Sequence, residues 1–186
     1  MAQKSAEKWK NKKWFNVYSP KLFGENVIGE IPADDEKLVG GRMIKVNLSW
    51  LTNKPEHSFF VVGLRVTKAS GSSANTELGF LEETYGYVHS LVRRHTSVVY
   101  ITKQLKDREG KEFVLKAMVV TRNKIATTKK TAMRKALDDF FAEYASKVTL
   151  EEFIKAALDN SFQADGVNAI KNIAQISKFE ARKIVV

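Results

Sequence analysis

Two short stretches of this sequence concentrate the side chains best suited to chemistry, and that chemistry is the capture of anions. Lys4, Lys8, Lys10, Lys12, Lys13 and Lys21 stand within residues 1–22 against the single acid Glu7. Arg122, Lys124, Lys129, Lys130, Arg134 and Lys135 stand within residues 121–135 with no acid among them. The formal net charge is +10, so the two blocks account for the whole excess and the rest of the chain is close to neutral. Lysines kept for solubility alone would be interspersed with carboxylates. Two blocks on a neutral body are the electrostatic footprint of a protein that meets a polyanion.

The second block is the sharper of the two. Met133, Ala136, Leu137, Phe140, Phe141 and Tyr144 fall on one helical stripe, which predicts a helix near 129–145. Acidic side chains normally favour a helix start and basic ones its end, by about 0.3–1 kcal/mol each. Here Lys129, Lys130, Arg134 and Lys135 crowd the start, while Asp138, Asp139 and Glu143 come later. A bound phosphate resolves the conflict, because the free N–H groups and the basic side chains then share one anion. The competing reading is a solvated face, stitched by Arg134–Asp138 and Lys135–Asp139 pairs at i, i+4.

In the first block, lysines interleave with aromatics in KWKNKKWF. Trp9, Trp14 and Phe15 could stack on unpaired bases while the lysines contact phosphates. Trp14 and Phe15 serve equally well as anchors on the fold, which leaves Trp9 as the better stacking candidate. Arg93 and Arg94, followed by His95, form a smaller third cluster.

Catalytic patterns are absent from the sequence. His57, His89 and His95 are the only histidines, and none has the i, i+4 spacing of a helical zinc site. There is no cysteine, which removes disulfides, thiolate chemistry and cysteine-ligated zinc. Gly40–Gly41 suggests a turn and not a phosphate loop. Asp34, Asp35 and Glu36 read as a solvated turn, and Glu82–Glu83 as a helix start. These patterns point to a non-enzyme with no cofactor and no metal. No run of eighteen apolar residues spans a membrane, and no apolar stretch follows the N-terminal lysines as in a secretory signal.

The elements that must position the basic groups are strands first and helices later. Residues 1–13 are expected to be a basic tail, disordered when free, and residues 14–186 a single domain. Strand signals fall near Val27–Ile31, ended by Pro32, at Met43–Ser49, over Ser58–Thr67 and over Thr76–Glu82, with Ser70–Asn75 a flexible loop. Ser97–Leu105 and Glu112–Arg122 read as a hairpin about the turn Asp107–Gly110. Tyr85–Arg94 has helical spacing, with Leu81, Tyr85, Val88 and Val92 on one face. Thr149 and Glu152 form a capping box that opens a second C-terminal helix. A third is expected over Asp165–Ile173, after which SKFEARKIVV can return to the sheet. The fold class is α+β: a β-barrel of about six or seven short, mainly antiparallel strands, one inserted helix, two or three C-terminal helices and the tail.

Lys12–Lys13–Trp14–Phe15–Asn16–Val17–Tyr18–Ser19–Pro20 and Gly41–Arg42–Met43–Ile44–Lys45–Val46–Asn47–Leu48 resemble a known family's opening box and G-R-x-x-x-V-x-L strand. That family is the archaeal and eukaryotic small-subunit ribosomal protein S-three-a family, also called S-one-e. Val120–Thr121–Arg122–Asn123–Lys124–Ile125, followed by basic residues and a helix, is similar to its hairpin-to-helix junction. The resemblance keeps the same order over nearly the whole chain. Eukaryotic members continue well past the last strand, whereas this chain stops at Val186, so it resembles an archaeal-type member.

The resemblance implies a cytoplasmic structural constituent of the small ribosomal subunit. It would lie on the platform, near the mRNA exit region and the 3′ end of the small-subunit rRNA. The implied partners are that rRNA, neighbouring ribosomal proteins and mRNA near the exit, with no catalytic residue, cofactor or required metal. RNA contacts would map onto Lys8, Lys10, Lys12 and Lys13, onto Arg42, and onto the Arg122–Lys135 block. A free-standing barrel-type module that binds single-stranded RNA outside the ribosome is the alternative; it calls for an exposed aromatic platform.

Overall fold

Strict alternation in Lys13–Tyr18, with Phe15 and Val17 buried and Trp14 exposed, makes this stretch the first strand, β1. It belongs to a computed structural model that describes Trp9 and residues 12–186. The chain divides into two compact units, one running to Leu81 and the other spanning Glu82–Val186.

In the first unit β1 pairs antiparallel with β2 (Val27–Ala33), Phe15 facing Ile31, and parallel with β5 (Ser73–Glu83), Val17 facing Ala74. Phe15 and Val17 pack with Ala33, Val39, Val66 and Ala74 in one apolar cluster. Pro32 does not end β2, because β2 lies at the sheet edge, where proline's missing N–H is tolerated. β3 (Met43–Asn47) pairs antiparallel with β4 (Phe60–Ser70), Val46 facing Val62. The expected strand to Ser49 stops early because Asn47 caps a short helix, α1 (Leu48–Thr52), its side chain accepting from the Ser49 N–H at 3.0 Å. The expected flexible loop at 70–75 is only a turn at Gly71–Ser72, and β4 and β5 run up to it on either side. Gly63 lets the Phe80 ring lie on the sheet, since a Cβ there would come within 2.1 Å of that ring.

The second unit is built on a three-stranded antiparallel sheet. β6 (Val98–Lys106) and β7 (Glu112–Thr121) form the expected hairpin, from Lys106 opposite Glu112 to Val98 opposite Val120. β8 (Ile176–Val185) returns beside β7, as the C-terminal run suggested. A short helix, α2 (Tyr85–Leu91), contributes Val88 to a cluster with Met118 and Val120 on one face of the sheet. Of the four-residue face expected there, Tyr85 and Val92 are exposed, Leu81 is buried but belongs to β5, and Val88 is the buried member on α2 itself.

The other sheet face carries three helices: α3 (Thr127–Lys147), α4 (Leu150–Leu158) and α5 (Ser161–Ile170). α5 starts and ends earlier than the expected Asp165–Ile173. The Phe162 ring stacks among Phe140, Phe141, Tyr144, Phe153 and Phe179, with centroids 4.8 to 5.8 Å away. Gly166 lets α5 approach β8, where a Cβ would come within 2.4 Å of the Phe179 ring.

The described strands number eight and lie in an open sheet, which corrects the expected barrel. Among the described residues the strand path runs from β2 to β6 without closing. The edges are protected by other means: Pro32 on β2, and Lys103 and Lys106 on β6.

Asp107, only 6% exposed, ties the hairpin to the helices. Its carboxylate accepts from the backbone N–H of Glu109 and of Lys111, both at 2.8 Å, and from that of Leu150 at the start of α4, at 3.1 Å. Burial alone would raise its pKa, but the N–H groups of Lys111, Leu150 and Glu109 outweigh it and hold the carboxyl below its ordinary value. The stability it supplies is therefore present above the ordinary aspartate range and is lost as pH falls through the lowered folded value. Asp107→Ala is expected to cost roughly 2–4 kcal/mol by leaving these donors unmatched. Urea unfolding at neutral pH measures this loss, and the variant should also lose part of the wild-type decline in acid.

Candidate nucleic-acid interface

Four cations of the second unit collect at one end of its sheet: Arg93, Arg94, Arg122 and Lys124. The segment before β6 and the segment after β7 leave neighbouring strands, and hydrogen bonds lock them together. The Thr121 hydroxyl, fully buried, accepts from the Ser97 N–H at 3.1 Å and donates to the Asn123 carbonyl at 2.7 Å. The Ser97 hydroxyl accepts from the Ile125 N–H at 3.2 Å, and the Arg122 N–H donates to the Gln175 carbonyl at 3.0 Å. Arg93 and Arg94 therefore emerge beside Arg122 and Lys124, all four exposed, at the end where α3 begins.

The start of α3 has the charge order read from the sequence. Ala126 precedes it with no side-chain cap, and no acid stands in its first turn. Lys129 is exposed and Lys130 half-buried, with Arg134 and Lys135 exposed one turn on. The i, i+4 pairs that would make this a self-neutralised face do not form among the described residues. Asp138 instead reaches Lys103 on β6 at 3.6 Å, and the Arg134 Nε donates to the Tyr100 carbonyl at 3.5 Å.

Lys116 on β7 and Lys178 and Arg182 on β8 are among the strand cations that the charge blocks do not include. The Arg182 guanidinium sits 5.9 Å from the ring centre of Tyr100, which is itself 52% exposed. Arg182 stands four residues after Lys178, so alternation along β8 could have flagged both, whereas the register shift against β7 between Met118 and Lys116 takes Lys183 off that period.

In the first unit Lys12 and Lys13 lie at the start of β1, whose Lys13 faces Ala33 at the end of β2. Arg42 joins them, its guanidinium donating to the Pro32 carbonyl at 3.1 Å. Lys21 does not join them; it follows the opposite end of β1, in the one-turn helix Lys21–Phe23. Phe15 is core, and Trp14 points outward at 56% exposure, which settles the two anchor residues differently. Trp9 is 59% exposed, with the Lys12 ammonium 3.9 Å above its ring. Lys4, Lys8 and Lys10 lie outside the described residues.

The pair Glu82–Glu83 does not start a helix. Both residues close β5, and Thr84 takes the cap position of α2. Glu82 pairs with Lys183 at 2.6 Å, and the Tyr87 hydroxyl donates to Glu180 at 3.0 Å. Glu83 is buried, and among the described residues neither of its carboxyl oxygens has a hydrogen-bond partner. Burial, reinforced by the nearby Glu180 charge and only partly offset by Arg182, pushes its pKa up to about 8. Of the histidines, His57 is buried with its Nδ1 2.9 Å from the Thr52 hydroxyl, and the His89 ring packs on Tyr85.

An α+β chain that gathers cations at strand ends and at a helix start narrows the field of relatives. The chain belongs to the Ribosomal S3Ae family, which it matches over residues 1–186. It is similar to the small ribosomal subunit protein eS1 of Pyrobaculum islandicum, at 33% identity over 96% of this chain and 80% of that one. The eS1 proteins of Thermoplasma acidophilum (31%; 97% of this chain, 84% of that one) and Archaeoglobus fulgidus (30%; 98% and 88%) are similar too.

Cations held at a helix start against the dipole carry a measurable penalty. Replacing Lys129 and Lys130 together by glutamate is expected to raise the stability of the isolated protein, by about 0.3–1 kcal/mol per reversed charge at low salt. Thermal melts of the two proteins measure the difference, which should shrink as salt is added.

Proposed function

We propose that this protein is a structural constituent of the small ribosomal subunit, acting in the cytoplasm and binding small-subunit rRNA through its localised cations. The observation that carries this reading is the start of α3. An uncapped helix end, whose first N–H groups lack intrahelical partners, and several exposed cations converge there, an arrangement that suits a polyanion. Arg93, Arg94, Arg122 and Lys124 extend the same patch. Lys12, Lys13 and Arg42 make a second contact region, and the tail with Trp9 orders on the RNA during assembly. Contacts of this kind read phosphate position and RNA shape more than base sequence.

The names of the relatives support the ribosomal address. Family resemblance further suggests a place on the platform near the mRNA exit region, beside other ribosomal proteins. No catalytic step, cofactor or metal enters this role.

Sucrose-gradient sedimentation of a cell extract tests the proposal. The protein should travel with small-subunit particles at low salt, persist through a moderate salt wash and dissociate at high salt. Charge reversal at Lys129, Lys130 and Arg134 should move it to the top fractions while its circular dichroism stays native. Wild-type protein found only at the top of a low-salt gradient would contradict the ribosomal reading and favour a free-standing RNA-binding module.

A further inference from the structure

A cleft of about 350 Å³ opens in the second unit between the end of β5, the first turn of α2 and strands β7 and β8. Glu83, only 6% exposed, lines it, and both of its carboxyl oxygens are buried there with no donor among the described residues. Buried polar groups are nearly always satisfied, so an orphaned carboxyl marks either a defect or a ligand site. The neighbouring charged groups are engaged elsewhere: Glu82 with Lys183, Glu180 with Tyr87, and Arg182 over the Tyr100 ring. Val88 supplies an apolar wall. Tyr85, 72% exposed on the first turn of α2, holds one ring face against His89 at a centroid distance of 4.1 Å.

We propose that this cleft receives one unpaired nucleobase of the bound RNA, with the Glu83 carboxyl hydrogen-bonding the base edge and Tyr85 stacking on its face. The inference rests on the rRNA-binding reading above and adds a base-reading subsite to it. A carboxyl offers two adjacent hydrogen-bonding atoms, the arrangement that the edge of an unpaired base presents in return. The volume lies at the low end of the roughly 300–1,000 Å³ of small-molecule pockets, which suits one ring system.

The charge around the cleft argues for a nucleotide over a basic protein side chain. Lys116 and Arg182 line it beside the Glu82–Lys183 pair, so cations outnumber the carboxylates Glu82 and Glu83 and an incoming lysine or arginine would meet net like charge. A nucleotide instead brings its phosphates to those cations as its base goes in. The base enters past the exposed Tyr85 ring, which becomes its stacking partner.

Fluorescence anisotropy with the full chain and end-labelled A, C, G and U hexamers tests this, alongside an oligo-arginine peptide as competitor. The wild type should prefer some bases over others by about fivefold or more, and Tyr85→Ala should weaken the preferred hexamer by a similar factor. Glu83→Leu should abolish the preference, and Glu83→Gln, which keeps the shape but fixes donor and acceptor, should change which base is favoured. Melting curves confirm that each variant is folded. Preference and affinity unchanged in Glu83→Leu would overturn the inference, as would displacement of RNA by the peptide through Glu83. If reversal of Lys129 and Lys130 abolishes hexamer binding while Glu83→Leu behaves as wild type, rRNA binding stands and only the base subsite falls. No RNA binding by the wild type at low salt overturns both.

Discussion

The packing of α3 against its sheet is the constraint on which the second unit depends. Met133, Leu137, Phe141 and Ala145 are buried along one stripe, and Phe140, Phe141 and Tyr144 join the ring cluster that holds α4, α5 and β8. Burying a large apolar side chain contributes about 1.5–3 kcal/mol. A charge of the wrong sign at a helix end costs only about 0.3–1 kcal/mol. Three large buried side chains therefore outweigh the four cations Lys129, Lys130, Arg134 and Lys135 at the helix start. The helix can present lysines at its start because its other face holds it in place.

Positioning of the remaining cations follows from strand pairing. Arg93 and Arg94 are far from Arg122 and Lys124 in sequence, and no spacing rule links them. The β6–β7 register brings the two segments to one sheet end, and the Thr121–Ser97 hydrogen bonds fasten them there. Asp107 performs the matching task at the opposite end, joining the hairpin turn to α4. A surface built from strand ends is as rigid as the ladder behind it, which would suit the proposed contact with RNA.

Elements governed by local chemistry were legible in the sequence. The Thr149–Glu152 capping box, the hairpin about Asp107–Gly110, the apolar stripe of α3 and the return of β8 all follow from short-range patterns. Features decided by distant contacts were not. Barrel closure was inferred from strand number, yet edges guarded by Pro32, Lys103 and Lys106 leave the sheet open. The strand at Met43 turns helical at Leu48 because Asn47 caps it, and Pro32 survives in β2 because it lies at an edge. Glu83 was hidden because adjacent glutamates read as a solvated helix start. Only the length of β5 and the packing of α2 bury it. At the start of α3, Lys129, Arg134 and Lys135 are exposed and Lys130 half-buried, without, among the described residues, the i, i+4 pairs that the spacing offered. Charge could not separate Lys21 from Lys12 and Lys13, which occupy opposite ends of the same strand.

The central claim is that phosphates neutralise the start of α3, and counterion release reports this directly. Binding to a small-subunit rRNA fragment should be measured across a series of salt concentrations for the wild type and for a variant with Lys129, Lys130 and Arg134 replaced by glutamine. If these side chains hold phosphates, the slope of log affinity against log salt should fall by about two to three in the variant. Its melting temperature should not decrease. An unchanged slope would show that the block is a solvated face and that the RNA contacts lie elsewhere.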